Sequence, residues 1–190
     1  PAESYAGRFA AREAVIKALG GYRSRGWKDI SVVRAPSGAP GILLAGNALA
    51  VHDIEFALSG TSLGIDLAAG APVEQGHRNH MDTINAVFRS GSISNMVKKG
   101  ELRRGILYEC VKKKIPYILA GSIRDDGPLP DVITDTAIAQ KEYKKVLKDA
   151  KMVIMVSTML HSIATGNMLP AHVKVIVVDI SQPTVTKLMD

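Results

Sequence analysis

The stretch Leu119-Ala120-Gly121-Ser122-Ile123-Arg124-Asp125-Asp126-Gly127-Pro128-Leu129-Pro130-Asp131 sets a serine, an arginine and three aspartates among glycine and proline turn residues. An apolar run, Ile115 to Ala120, feeds directly into a turn rich in Gly, Pro, Ser, Arg and Asp. A buried strand that ends this way puts hydroxyl, guanidinium and carboxylate groups at its carboxyl end, where open α/β sheets hold their ligands. The turn has little apolar area to bury, which suits a binding loop on a rigid scaffold. Asp and Gly also serve turn geometry in an ordinary connection. Residue types alone leave both readings open.

Other residues could carry chemistry. Asp179 closes the apolar run Val173–Val178. A carboxylate there either binds a ribose diol or caps the helix that Pro183 opens. Glu74, His77 and His80 lie close together, and two histidines at i,i+3 can reach one metal ion. Gly76 and the loop-like surroundings favour a surface histidine pair instead. His161, just past the end of another apolar run, suits acid–base work or substrate binding, or a hydrogen bond inside a buried turn. Cys110 sits in an amphipathic pattern and reads as a small core residue. No G-x-G-x-x-G follows any predicted strand, so the standard dinucleotide fingerprint is absent.

These groups need a scaffold, and the sequence predicts one by alternation. Helices are expected over 3–19, 46–58, 81–89, 93–99, 106–113 and 132–149, with Ile133, Ala137, Val146 and Leu147 facing inward in the last of them. Strands are expected at 30–33, 42–45, 116–121, 152–156 and 173–178. Residues 61–76 read as loop, with Gly64, Gly70, Pro72 and Gly76 as breakers. Short continuous apolar runs alternating with helices predict an α/β fold: a mainly parallel, Rossmann-like sheet with helices on both faces, plus a small N-terminal α/β segment.

Composition narrows the class. The chain has 190 residues, 46% hydrophobic and 22% charged, which fits one domain with an appendage. No apolar run approaches the ~20 residues of a membrane span, and the charged opening is unlike a signal peptide. The single cysteine rules out an intrachain disulfide and suits a cytoplasmic protein. The net charge of +6 is spread over solvated helix faces without interleaved aromatics, which argues against nucleic-acid binding.

Two resemblances add to this reading. The blocks LLAGNALAVHDIEFALSGTSLGIDL, GHRNHMDTIN, GILYECVKKKIPYILAGSIRDDGPLPDVITD, VSTMLHSIATGNMLP and VKVIVVDISQPTVTKLMD occur in order between Leu43 and Asp190. They resemble the archaeal-type ornithine cyclodeaminase family, also labelled the LOR/SDH conserved region. That resemblance implies a Rossmann-like domain binding NAD, a small amino-acid substrate, and conversion of L-ornithine to L-proline with release of ammonia. The cofactor would take a hydride from the substrate's α-carbon and return it after the side-chain amine has displaced ammonia. It makes Asn47, Gly121, Ser122, Arg124, Asp125, Asp126 and Asp179 the cofactor candidates, and Asp131, His161 and Asn167 the candidates for the reacting amino acid. A homo-oligomer is compatible with it.

FAAREAVIKALG, Phe9 to Gly20, followed by WKDISVVRAPSGAP, is similar instead to holo-acyl-carrier-protein synthase, a 4'-phosphopantetheinyl transferase. There Glu13 matches a Mg²⁺ ligand and Lys17 a coenzyme A contact, with acyl carrier protein as the partner. The opening strand with its aspartate is missing, and one carboxylate cannot hold Mg²⁺ without further ligands. A surface Glu13–Lys17 ion pair is the simpler reading. The expected division is therefore a partial transferase-like segment, 1–42, and a partial cyclodeaminase-like domain, 43–190, joined inside Gly41–Gly46. The family's glycine-rich segment before Leu43 is expected to be missing. The chain reads as a hybrid, a designed or generated sequence, or a fragment, and its activity as lyase, transferase or neither.

Overall fold

The computed structural model describes residues 41–190 apart from Asp126, Ser157, Thr158, Ile180 and Asp190. The helix expected at 3–19, the strand at 30–33 and the Glu13–Lys17 pair lie outside the described residues. Those that are described fall into two compact units, meeting in sequence between Ala139 and Gln140.

In the first unit, β1 (Leu43–Gly46) pairs in parallel with β4 (Tyr117–Ala120), Leu43 opposite Tyr117 and Gly46 opposite Ala120. β4 pairs in parallel with the short β5 (Val132–Ile133), giving the order β1-β4-β5. β1 passes straight into α1 (Asn47–Ser59) with Gly46 as N-cap. Between Leu49 and Leu58 only His52, Asp53 and Glu55 are polar. A helix this apolar is buried on most sides: Ala50, Val51 and Ile54 are at most 2% exposed, and Asp53 and Glu55 go inside with them. Gly60 stops it in the left-handed conformation at φ +76°, its N–H bonded to the Phe56 carbonyl. The Arg104 guanidinium crosses the Phe56 ring and donates to the Phe56 and Ala57 carbonyls.

After α1 comes a hairpin, β2 (Thr61–Ser62) and β3 (Ile65–Asp66), and then α2 (Gly76–Ser90), α3 (Ile93–Lys98) and α4 (Ile106–Lys112). His80, Thr83, Ile84 and Val87 form the buried stripe of α2 at i, i+3, i+4 and i+7. Ser92 caps α3 by accepting the Asn95 N–H. Ile93, Met96, Leu102, Leu107, Leu119 and Leu129 complete this core at 2% exposure or less, each worth roughly 1.5–3 kcal/mol of transfer free energy.

Two expectations need correction. Residues 61–76 are an ordered hairpin leading into a helix that starts at Gly76, five residues earlier than the pattern suggested. Residues 132–133 belong to β5, and the helix α5 runs from Thr136 to Leu147. Its buried positions are Ala139, Tyr143 and Leu147, while Ala137 is exposed. Pairing with β4 decided the first two residues, overriding local propensity.

The second unit is a β-α-β-α run. β6 (Met152–Val156) pairs in parallel with β7 (Lys174–Val178), Met152 opposite Lys174, with α6 (Leu160–Gly166) in the crossover and α7 (Gln182–Met189) after β7. Among the described strands only β2 and β3 run antiparallel.

Candidate functional site

Two groupings in the first unit merit attention. The first lies at the carboxyl ends of β1 and β4. Where β1 becomes α1, Gly46 is extended, no side chain caps the helix, and its first turn carries no acidic residue. The first-turn N–H groups of a helix attract anions through their unmet hydrogen bonds and the helix dipole. Beside this turn, Asn47 is 3% exposed and commits its amide to the loop after β4: Oδ1 accepts the Leu129 N–H at 3.0 Å and Nδ2 donates to the Gly127 carbonyl at 3.3 Å.

The loop is shaped from within. The Ser122 N–H and Oγ donate to Asp125 Oδ2 and Oδ1 at 2.8 and 3.2 Å, and Ser122 Oγ accepts the Arg124 N–H. The Gly121 N–H donates to the Ile133 carbonyl, tying the loop's start to β5. Ile123 and Arg124 point outward and are exposed. Asp126 lies outside the described residues. Removing the Asn47 amide leaves a buried N–H and C=O unpaired, so Asn47→Ala should cost about 2 kcal/mol and lower the melting temperature by several degrees in calorimetry. An unchanged melting temperature would mean that the loop holds itself.

Asp131 ends this loop, and the structure spends its carboxylate: Oδ2 accepts the Ile93 N–H at the start of α3 and Oδ1 accepts the Tyr117 hydroxyl. Burial, and then the nearby Asp131 charge, push the Tyr117 hydroxyl pKa up. His161, Asn167 and Asp179 belong to the second unit. His161 is in α6, half-buried; Asn167 is the exposed C-cap of that helix. Asp179 follows β7, and its Oδ1 accepts the Ser181 N–H at 2.7 Å, so a turn-forming role just ahead of α7 is present. Cys110 is a core residue, 3% exposed, its thiol pushed up to about 12 by burial and then by the charges of Asp53 and Glu109.

The second grouping is centred on Glu55, which is completely buried. Oε1 accepts from Thr61 Oγ1 at 2.8 Å and the Gly64 N–H at 3.1 Å; Oε2 accepts from the Leu63 N–H at 3.0 Å and pairs with His80 Nδ1 at 2.9 Å. Burial pushes the carboxyl pKa up. The bonds from His80, Gly64, Thr61 and Leu63 outweigh that and hold it at about 2. Nearby, His52 Nδ1 lies 3.0 Å from Ser62 Oγ, and Asn79 donates to Thr61 Oγ1. The His52 and His80 ring centres are 5.5 Å apart.

This arrangement separates the Glu74/His77/His80 group that spacing had suggested. Glu74 and His77 are exposed, while His80 turns inward to Glu55. Sequence reasoning passed over His52 and Glu55. The available signal was a carboxylate directly after Ile54 inside an otherwise apolar helix run, which has no place in a core without partners.

Comparison with known proteins gives the family of the chain. Residues 36–190 match the family model described as arginine dihydrolase ArgZ-like, C-terminal, Rossmann fold. An ornithine cyclodeaminase of Methanothermobacter thermautotrophicus is 62% identical over 149 residues, covering 78% of this chain and 36% of that protein. A LOR/SDH protein of Methanococcus maripaludis aligns with a TM-score of 0.76 at 57% identity, over 78% of this chain and 45% of that one. The structure of AgrE with ornithine and NAD⁺ aligns with a TM-score of 0.75 at 56% identity, over 78% of this chain and 22% of that one. A holo-[acyl-carrier-protein] synthase of Azorhizobium caulinodans is 56% identical over 52 residues, 26% of this chain and 38% of that protein. The chain spans between about a fifth and a half of the length of the cyclodeaminase-type relatives it matches.

Proposed function

The chain belongs to the ArgZ-like C-terminal family, with its α/β Rossmann fold, and from that premise we propose that it is the NAD-binding part of an ornithine-cyclodeaminase-type lyase. One observation carries the reading within the molecule. β1 delivers the uncapped, acid-free first turn of α1 to the carboxyl edge of a parallel strand pair, next to a loop with an outward-facing arginine. That is the place and the electrostatic character a dinucleotide pyrophosphate requires.

The residues fit the group in a specific way. The main-chain N–H groups that open α1 would take the pyrophosphate, standing in for a glycine-rich turn. Arg124 would add a guanidinium, and Ser122 and Asp125 would supply hydroxyl and carboxylate oxygens beside it. Asn47 contributes by fixing Gly127 and Leu129, so it orders the loop and does not reach for the cofactor itself. Asp179, on the second unit, stays a candidate for a ribose hydroxyl. His161 and Asn167 stay candidates for the amino acid. Asp131 is better explained as a tie between Tyr117 and the Ile93 N–H at the start of α3. NAD, when bound, would supply a reversible hydride acceptor for the substrate's α-carbon.

A thermal-shift comparison tests this. NAD at about 100 times its dissociation constant should stabilise the folded chain by about 2.7 kcal/mol, and coenzyme A with Mg²⁺ should not. Ornithine-dependent ammonia release is the activity readout. Stabilisation by coenzyme A with Mg²⁺ and none by NAD would replace the reading with phosphopantetheinyl transfer. No response to NAD or to ornithine would sink it.

A further inference from the structure

Ile123 is fully exposed, at 105%, in the loop that follows β4. Single apolar residues on a protein surface are ordinary. This one stands on a braced backbone, among the groups proposed above for phosphate and ribose. Upstream, the Gly121 N–H is bonded to the Ile133 carbonyl, and a Cβ on Gly121 would lie 3.3 Å from Thr134 Cα. Downstream, Asn47 holds Gly127 and Leu129, and Leu129 is 2% exposed. Gly127 also rests against α2, with Ile84 Cγ2 3.4 Å from where its Cβ would stand. Between these anchors Ser122 and Asp125 close a turn through the Ser122 N–H, the Ser122 Oγ and the Asp125 N–H. Ile123 and Arg124 occupy its tip.

We propose that Ile123 is the apolar contact of the cofactor's adenine ring, a role it takes only on the NAD reading given above. In a dinucleotide-binding β-α-β unit the pyrophosphate rests on the first helix. A carboxylate beyond the following parallel strand takes the adenosine ribose. Here β4 is the strand paired with β1, and Asp125 is a carboxylate in that position. Adenine is bonded to the same ribose, so it lies against the side chain that the turn carries outward beside Asp125. A flat ring laid on an aliphatic side chain removes both surfaces from water. Because the backbone on both sides is committed, Ile123 stays in water without ligand and needs no ordering when one binds. Turn chemistry does not account for this residue, since isoleucine is not among the types that turns select.

The test titrates the full chain, Ile123→Ser and Ile123→Leu with NAD and with ADP-ribose in a calorimeter. ADP-ribose keeps the adenine, both riboses and the pyrophosphate and lacks the nicotinamide. Ile123→Ser should leave the ligand-free melting temperature unchanged, because its side chain touches solvent alone. It should weaken NAD and ADP-ribose by the same factor, about tenfold, as expected from covering roughly half of an isoleucine side chain. Ile123→Leu should bind both ligands within about twofold of the unsubstituted chain. Unchanged NAD affinity in Ile123→Ser, where the unsubstituted chain binds NAD, would overturn the adenine contact and leave the NAD reading standing. A loss confined to NAD would overturn it too, by moving the contact to the nicotinamide. Failure of the unsubstituted chain to bind NAD would end both.

Discussion

Glu55→Ala is expected to lower the stability of the chain by about 4 kcal/mol, read from the urea midpoint at neutral pH. The side chain is fully buried and is the acceptor for Thr61, Leu63, Gly64 and His80. Removing it leaves these donors in a dry interior, where breaking a hydrogen-bonded buried charge costs about 3–5 kcal/mol. A loss below about 1 kcal/mol would mean that the hairpin and α2 dock without the carboxylate. The acid limb of the stability curve should show the same group. Its folded pKa is about 2 against an ordinary 4.5, so the unfolded chain takes up the proton first. The contribution is therefore complete above about pH 4.5 and is lost as pH falls towards 2. A shift of this size corresponds to roughly 3 kcal/mol. Glu55→Ala should lack that part of the slope.

Gly64→Ala should have a comparable or larger effect, at least about 4 kcal/mol or loss of a cooperative fold. Gly64 has φ +70°, and a Cβ there would lie 2.4 Å from the Gly76 carbonyl carbon and 2.6 Å from its Cα. Both are backbone atoms with no rotamer to escape into. Nor can Gly64 move away, because its N–H donates to Glu55 and its carbonyl accepts the Val73 N–H. Gly70 provides the comparison, with φ +66° and open space where a Cβ would go. Gly70→Ala should cost only the backbone strain, about 1–2 kcal/mol. Equal losses at the two positions would show that the close approach of Gly64 to Gly76 does not hold the hairpin against α2.

Much of the fold was legible along the chain because the signals are local. Met152–Val156 is a strand at its predicted bounds, and α1 and the strand ending at Ala120 lie within a residue or two of theirs. Gly60 and Gly91 stop helices within two residues of the ends expected at 58 and 89. In each case a continuous apolar run or a glycine states the outcome within a few residues. The loop 121–131 was legible as a polar turn after a buried strand. The purpose of its individual residues was not, because Asn47 reaches it across 80 and 82 positions of sequence.

By itself, the sequence determined the alternation of strands and helices, the parallel pairing that follows from it, and the position of a polar loop at a strand's carboxyl end. The tertiary structure alone decided which polar residues act together. A carboxylate inside an apolar helix must find donors wherever the packing supplies them. For Glu55 those lie in the hairpin and, 25 residues away, on α2. That requirement turned His80 from a surface pair with His77 into the buried partner of Glu55. It also made an ordered hairpin of residues that read as loop. The reason is physical: hydrophobic patterning is written in neighbouring residues, whereas the partners of a buried charge are set only when distant segments close around it.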